Sequence, residues 1–236
     1  MRSYLQNAYE LNDTQLEQFE TYYRLLVEKN KVMNLTAITD RQEVDIKHFF
    51  DSLTISRVIN FHEVNNVMDV GTGAGFPGIP LKIAFPHLHV TLLDSLQKRI
   101  FFLQEVGEAL GLDKVEYIHG RAEDIAKDHY YRERYDVVTS RAVARLNILA
   151  EYCLPFTSVG GTFVAMKAGE VEQEVANAKQ ALALLGKVSQ EIYPLNLPEE
   201  MGERKLVILT KKQSTPKKYP RNAGTIKKSP LGGNKT

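Results

Sequence analysis

The chain has 236 residues, 43% of them hydrophobic, and a formal net charge of +1. That content can bury a full core, and about 150 residues per domain leaves room for one α/β unit with additions. A single cysteine, Cys153, excludes an intramolecular disulfide framework and a Cys-based zinc cluster, no apolar run nears the roughly 20 residues that span a bilayer, and the polar start Met1-Arg2-Ser3-Tyr4 lacks a signal-peptide core, so a reducing, cytoplasmic setting is expected.

Near the N-terminus, Thr14-Gln15-Leu16-Glu17 fits a capping box, and Leu16, Phe19, Tyr23 and Leu26 follow at helical spacing, which predicts a helix with one buried face. A second helical stretch is expected from Asp40, with Glu43 three residues on, through His48 and Phe49 towards Ile59. From Asn66 strand and helix alternate: a strand to Val70, a helix from about Pro80, a strand from His89 to Asp94, and a helix from Gln97 to Leu110 closed by Gly111. Strands then fall at 115–119, 135–139 and 162–167, with helices near Glu123, at 146–154 and at 171–185. Strands joined by helical crossovers predict an α/β, Rossmann-like, mostly parallel sheet with helices on both faces. Two last strands, around 189–193 and 206–210, bring the total to seven; with no convincing helix between them they can pair antiparallel. The expected division is an N-terminal helical extension over 1–62, the main domain over 63–212 and a tail over 213–236.

The segment Asp69-Val70-Gly71-Thr72-Gly73-Ala74-Gly75-Phe76-Pro77-Gly78 follows the first strand with three alternating glycines. Glycine there lets the backbone take positive φ and approach a ligand closely, although a plain strand-to-helix turn reads the same way. Asp94 ends the second strand about 20 residues on, where a Rossmann-type site holds ribose hydroxyls. The spacing is G-x-G-x-G rather than G-x-G-x-x-G, and Asp69 stands two residues ahead of it. An acid there would repel a diphosphate but suits a cationic, phosphate-free ligand, which favours S-adenosylmethionine over NAD; no G-x-x-x-x-G-K-[ST] supports ATP.

Ligands of such sheets sit beyond the carboxyl ends of the strands. That selects Gly71, Gly73, Gly75 and Phe76, then Asp94, the run Gly120-Arg121-Ala122-Glu123-Asp124, Ser140-Arg141-Ala142 and Lys167. Glu123 and its neighbours could meet an adenine edge, or Glu123 could be a helix N-terminal acid favoured by the dipole. Arg141 would point a guanidinium at the junction of cofactor and substrate, or pair with Glu123 or Asp94. Cys153 reads as a small buried residue, Phe101, Phe102 and Leu103 as core, and the six histidines lack a ligand spacing, so no metal is expected. From Lys211 to Thr236 there are eight Lys/Arg and no acid, against 22 basic and 29 acidic residues elsewhere. That composition predicts a flexible arm suited to polyanions, or one that is merely solvated.

With these residues in place, the loop Asp69 to Leu81 closely resembles the cofactor motif of the bacterial small-subunit rRNA guanine-N7 methyltransferases, the RsmG (GidB) group. Asn34-Leu35-Thr36, His48-Phe49-Phe50-Asp51-Ser52, Arg121-Ala122-Glu123-Asp124, Ser140-Arg141-Ala142-Val143-Ala144 and Lys218-Tyr219-Pro220-Arg221 are similar to that group's signatures, in its order, over nearly the whole chain. Ile226 and Asn222 depart from the group's usual tail. The resemblance implies a class I methyltransferase fold, S-adenosylmethionine held by Gly71, Phe76, Ala122, Glu123 and Arg141, and methylation at N7 of a guanine, G527, in 16S rRNA. Guanine N7 has a free lone pair, so no general base is expected, and Arg141 would act by positioning. Arg121, Lys167, Lys218 and Arg221 would then hold RNA backbone, while His48 and Asp51 line the target pocket. The expected partner is 16S rRNA or the small subunit, met by a monomer without membrane or metal. A small-molecule methyltransferase of the same fold and a non-enzymatic RNA-binding protein are the alternatives.

Overall fold

The alternation that begins at Asn66 forms seven strands in the computed structural model, which describes residues 2–141 and 144–233. These are β1 (Asn66–Val70), β2 (His89–Asp94), β3 (Val115–His119), β4 (Tyr135–Ser140), β5 (Thr157–Lys167), β6 (Ser189–Asn196) and β7 (Glu203–Thr210). Their order across one sheet is β3-β2-β1-β4-β5-β7-β6. The first five run parallel, and β7 enters antiparallel between β5 and β6. The chain steps outward from β1 in both directions, so a crevice opens between β1 and β4 at their carboxyl ends.

The helices are α1 (Arg2–Tyr9), α2 (Asp13–Met33), α3 (Arg41–Val44), α4 (Asp51–Leu53), α5 (Gly78–Ala84), α6 (Gln97–Ala109), α7 (Ala122–Ile125), α8 (Leu146–Cys153), α9 (Glu172–Gly186) and α10 (Ala223–Lys228). One sheet face packs Val67, Val90, Leu92 and Val164 against the N-terminal helices, α5 and α6. The other packs Met68, Leu93, Val138 and Phe163 against α8 and α9. Large side chains such as Phe19, Phe49 and Phe102, about 1% exposed or less, each stabilise the fold by about 1.5–3 kcal/mol. No described helix is long and apolar enough to cross a membrane.

Several elements differ from expectation for local reasons. The capping box closes at Asn12, whose Oδ1 accepts from Gln15 N while Gln15 Oε1 accepts from Asn12 N. Thr14 therefore lies inside α2; the two frames satisfy the same four-residue pattern. Tyr22 rather than Tyr23 is the fully buried member of the apolar stripe, its hydroxyl donating to Ala74 O in the glycine loop. The second helical stretch is broken: α3 passes into a π-turn at Asp45–Phe50 before α4 resumes and a 3₁₀ turn ends at Arg57. Phe101, expected in the core, is exposed on α6, because Phe102 and Leu103 occupy the inward positions.

The basic C-terminal stretch, expected as a flexible arm, lies against the domain as far as residue 233. Lys211 is fully buried and its Nζ donates to Glu133 Oε1 at 2.6 Å, Leu154 O and Thr157 O. The Arg132 guanidinium donates to the carbonyls of Thr215 and Tyr219. Arg221 forms a bidentate pair with buried Glu151 of α8, at 2.9 and 2.7 Å. Asn222 caps α10, accepting from Thr225 N at 2.9 Å, and Ile226 is buried. Composition reveals eight cations but not the buried carboxylate and carbonyls, distant in sequence, that receive two of them. Ala142, Val143 and Lys235 lie outside the described residues.

Candidate functional site

β1 delivers the chain into the glycine turn with Gly71 at φ +72° and Gly73 at φ +62°. A Cβ on Gly71 would meet no protein atom within 4 Å, and one on Gly73 would only graze Gly71 O at 4.0 Å, so both face open space. Gly75 is different: its Cβ would strike Tyr22 Oη at 2.5 Å and Leu103 at 2.8 Å, so it admits α2 and α6 rather than a ligand.

Asp69 is fully buried beneath this turn. Its Oδ2 accepts from Thr72 Oγ1 at 2.7 Å and Gly78 N at 3.0 Å, so it braces the loop and does not line the cavity that its charge was expected to serve. Burial pushes its carboxyl up to about 6, against the pull of those donors. Asp94 ties the loop to β2: Oδ2 accepts from Gly73 N at 2.9 Å and from Arg99 Nη1 at 3.2 Å, while Oδ1 accepts from Leu96 N. A carboxylate offers about four acceptor positions, so Oδ1 keeps a lone pair for a hydroxyl in the cavity that Asp94 lines.

That cavity, about 240 Å³, is lined by Gly71, Asp94, Ala122, Glu123, Tyr152 and Lys227 among others. Its open Gly71, its acceptor at the end of β2 and its acid at the start of α7 fit an adenosine-bearing cofactor, while Gly73 is not in its lining. Arg121 lies on its rim, its Nη1 3.7 Å from Glu123 Oε1. Phe76 is not among the lining side chains. Its ring stacks on Tyr22 and on His48, with centroids 5.4 and 4.6 Å apart, and carries the Arg141 guanidinium 4.7 Å from its centre.

A second cavity of about 640 Å³ abuts the first, the two sharing Ala144 just beyond β4. Its wall includes His48, Asp51, Arg141, Arg145, Lys167 and Arg204. Arg141 leaves the end of β4 and turns to the N-terminal extension, not to Glu123 or Asp94. Its Nη1 donates to Lys47 O at 3.1 Å and to Asp51 Oδ2 at 3.4 Å, and its Nη2 lies 3.3 Å from His48 Nδ1. The π-turn makes this possible by presenting Lys47 O, His48 and Asp51 to one point, a frequent role of such turns. Asp51 Oδ1 also forms an ion pair with Arg204 Nε, 3.3 Å away at the start of β7. Lys167 is occupied: its Nζ donates to Ala144 O at 2.6 Å and Glu174 Oε1 at 2.7 Å. Lys218 sits on the far tail with its Nζ 5.3 Å from the Tyr219 ring, and Arg221 is committed to Glu151.

Arg204, Arg145, Tyr152 and Lys227 were not expected from the sequence. Arg145 lies just past the Ser140–Ala144 signature and carries that signal, but the others reach their cavities from helices and a strand start that carry no motif.

Gly71→Val would place a branched side chain in a left-handed position, at about 1–2 kcal/mol, and fill the smaller cavity. Calorimetry should show the cofactor Kd rising about tenfold or more, and a Kd near wild type would remove Gly71 from the site. In the larger cavity, burial and the Arg141 charge push His48 down to about 3, from near 6.5 in an unfolded chain. Below pH 6.5 the unfolded state therefore takes up a proton that the folded state refuses, so this contribution to stability falls with pH through that window. Between pH 7 and pH 5 the wild type should lose about 2 kcal/mol more than His48→Gln in urea unfolding. The opposite contribution of Asp69 is common to both proteins and cancels; parallel profiles would contradict the assignment.

Comparison with known proteins agrees with this architecture. The chain matches the family described as rRNA small subunit methyltransferase G over residues 15–206. It is 57% identical to the ribosomal RNA small subunit methyltransferase G of an Exiguobacterium species over 95% of this chain and 94% of that one. The protein of the same description from Bacillus subtilis is 50% identical over 94% of this chain and 93% of that one. Among solved structures, an O-methyltransferase from Bacillus cereus in complex with SAH superposes with a TM-score of 0.60 at 17% identity, covering 88% of this chain and 96% of that one.

Proposed function

The chain belongs to the rRNA small subunit methyltransferase G family, and from that premise we propose that it methylates N7 of a guanine, G527, in 16S rRNA. The protein uses S-adenosylmethionine, and we take it to work as a monomer, in the cytoplasm, on the RNA or the small subunit. One observation supports the choice of N7: among the described residues, each carboxylate and histidine that lines the acceptor cavity is already engaged in an ion pair or a hydrogen bond. Asp51 is held by Arg141 and Arg204, Glu174 by Lys167 and the Leu146 N–H, and neutral His48 by Thr36 Oγ1 at 2.8 Å. A target with an exocyclic amine would need a proton removed; N7 attacks with its own lone pair.

S-adenosylmethionine, when bound, supplies an electrophilic methyl carbon on a cationic sulfur. Gly71, Gly73, Asp94, Ala122 and Glu123 would hold it, with Asp69 stiffening the loop beneath. With it bound, the N7 lone pair would form the new C–N bond as the C–S bond broke, and the positive charge would pass from sulfur to the purine. No proton is transferred, so the chain's task is in-line placement of two partners. Arg141, in the wall of the acceptor cavity with its guanidinium over Phe76 of the glycine loop, is the positioning residue. Arg145, which has no ion pair among the described residues, suits phosphate. N7 lies in the deep major groove of an RNA helix, which side chains do not reach, so the target base should be unpaired or splayed out.

The test is incubation with methyl-labelled S-adenosylmethionine and small subunits from cells lacking the enzyme, followed by digestion to nucleosides. Label in 7-methylguanosine is expected. Label in another nucleoside would overturn the N7 assignment, and no label despite cofactor binding would favour a small-molecule substrate.

A further inference from the structure

Doubly wound sheets bury both faces of their strands, yet one face of this sheet is uncovered at the amino ends of β1 to β3. The crossover from β3 to β4 is the cause: its helix, α7, has four residues, about 6 Å of length, and sits at the carboxyl end. The sequence matches that gap with polar residues, Thr91 among them still buried beneath Tyr135. Asn66, Thr91 and Glu116 lie on the same face as the buried Met68, Leu93 and Ile118, two positions earlier on each strand, and Thr91 and Glu116 are register partners. The uncovered floor forms a cavity of about 590 Å³, in the range that takes a nucleotide-sized ligand. It lies about 17 Å along β2 from the cofactor site.

The polar floor is fixed, and the basic side chains around it make no ion pair or hydrogen bond among the described residues. Tyr131 Oη donates to Glu116 Oε1 at 2.8 Å, Thr91 Oγ1 faces Glu116 Oε2 at 3.4 Å, and Tyr135 Oη donates to Thr91 Oγ1 at 3.1 Å. Glu116, the one carboxylate of the lining among the described residues, is thereby committed to two hydroxyls. Asp136 beside the cavity is committed to the N–H groups of Asn65 and Asn66. His89, Lys114 and Arg134 also line the cavity, and their side chains have no ion pair or hydrogen bond among the described residues. Tyr130 is 66% exposed, its ring propped edge-on against Tyr131 at 5.0 Å and 82°. An aromatic face beside uncommitted cations is the combination that stacks a base and neutralises its phosphate.

We propose that this cavity is a second RNA-contact site that takes one nucleotide of the rRNA substrate, its base on Tyr130 and its phosphate on Lys114 and Arg134. The assignment rests on the rRNA substrate proposed above. A free nucleotide has the same chemistry, and the test separates the two sources.

The probes are deproteinised, unmodified 16S rRNA and 5′-AMP, titrated against the full chain, the Lys114→Gln/Arg134→Gln variant and Tyr130→Ala. The double variant should bind rRNA about tenfold more weakly, with a log–log salt dependence shallower by about 0.7 for the one single-strand phosphate the two residues hold. Tyr130→Ala should weaken rRNA binding by about fivefold or more. KM for the small subunit should rise with kcat unchanged, while cofactor Kd and thermal midpoint stay at wild-type values. Unchanged rRNA affinity and salt slope overturn the proposal. So does AMP binding that the variants lose while rRNA binding stays intact, which would assign the cavity to a free nucleotide. If the wild type forms no 7-methylguanosine but the variants still lose rRNA affinity, the contact site stands and the N7 reading falls.

Discussion

Replacing Arg141 by alanine should lower kcat/KM for methyl transfer by about a hundred- to a thousandfold, the range seen when one preorganised donor is removed from a reacting centre. The guanidinium is 21% exposed and touches four groups: Lys47 O, Asp51, His48 and the face of Phe76. Three of these come from the N-terminal extension and one from the glycine loop, so this side chain joins the wall of the acceptor cavity to the cofactor turn. Its removal leaves Asp51 with Arg204 alone, and a buried charge left poorly matched would add to the loss. The Arg141→Ala/Asp51→Asn variant separates the two effects. It should recover thermal stability but not kcat. Arg141→Lys, which keeps the charge but not the planar fork over Phe76, should fall between wild type and alanine. Near-normal turnover in Arg141→Ala would remove it from the site.

Arg221→Ala should lower the thermal midpoint by about 5–10 °C without a comparable loss of cofactor affinity at 25 °C. Glu151 is fully buried on α8, and two guanidinium N–H groups of Arg221 reach its two oxygens. Removing one partner of a buried pair costs about 3–5 kcal/mol; with Arg221 itself 23% exposed, about 2–3 kcal/mol is the appropriate figure, and 1 kcal/mol moves a chain of this size by about 2–4 °C. Substituting Glu151 by leucine as well removes the stranded charge and should restore much of the midpoint. A shift within 2 °C in the single variant, read by calorimetry, would show that the tail does not hold α8.

The sheet was legible because its signals are local. Short β-prone stretches ending at Val70, Asp94, His119 and Ser140 mark strand ends, and the carboxyl-end rule then selects Ala122, Glu123 and Arg141, which line the two cavities, without any knowledge of packing. Partnerships across long separations were not legible. Nothing in the neighbourhood of Arg141 indicates that its carboxylate is Asp51, ninety positions earlier, since pairing there depends on how the extension crosses the sheet. The π-turn that aligns His48 with Asp51 has no sequence mark either. Charge reasoning succeeded for the kind of cofactor and misplaced the acid: Asp69 shapes the turn from below. Composition misled most in the tail, where the same lysines and arginines that describe a solvated arm also suit a strap whose counter-charges lie in the domain.

Glu151 is synthesised 70 positions ahead of the arginine in that strap which neutralises it. At about 5–20 residues per second the interval is about 4–14 s, during which α8 carries a bare acid towards a sheet that will bury it. The acid that fastens α8 to the strap is therefore without the counter-charge of Arg221 until β5, β6 and β7 have all been synthesised.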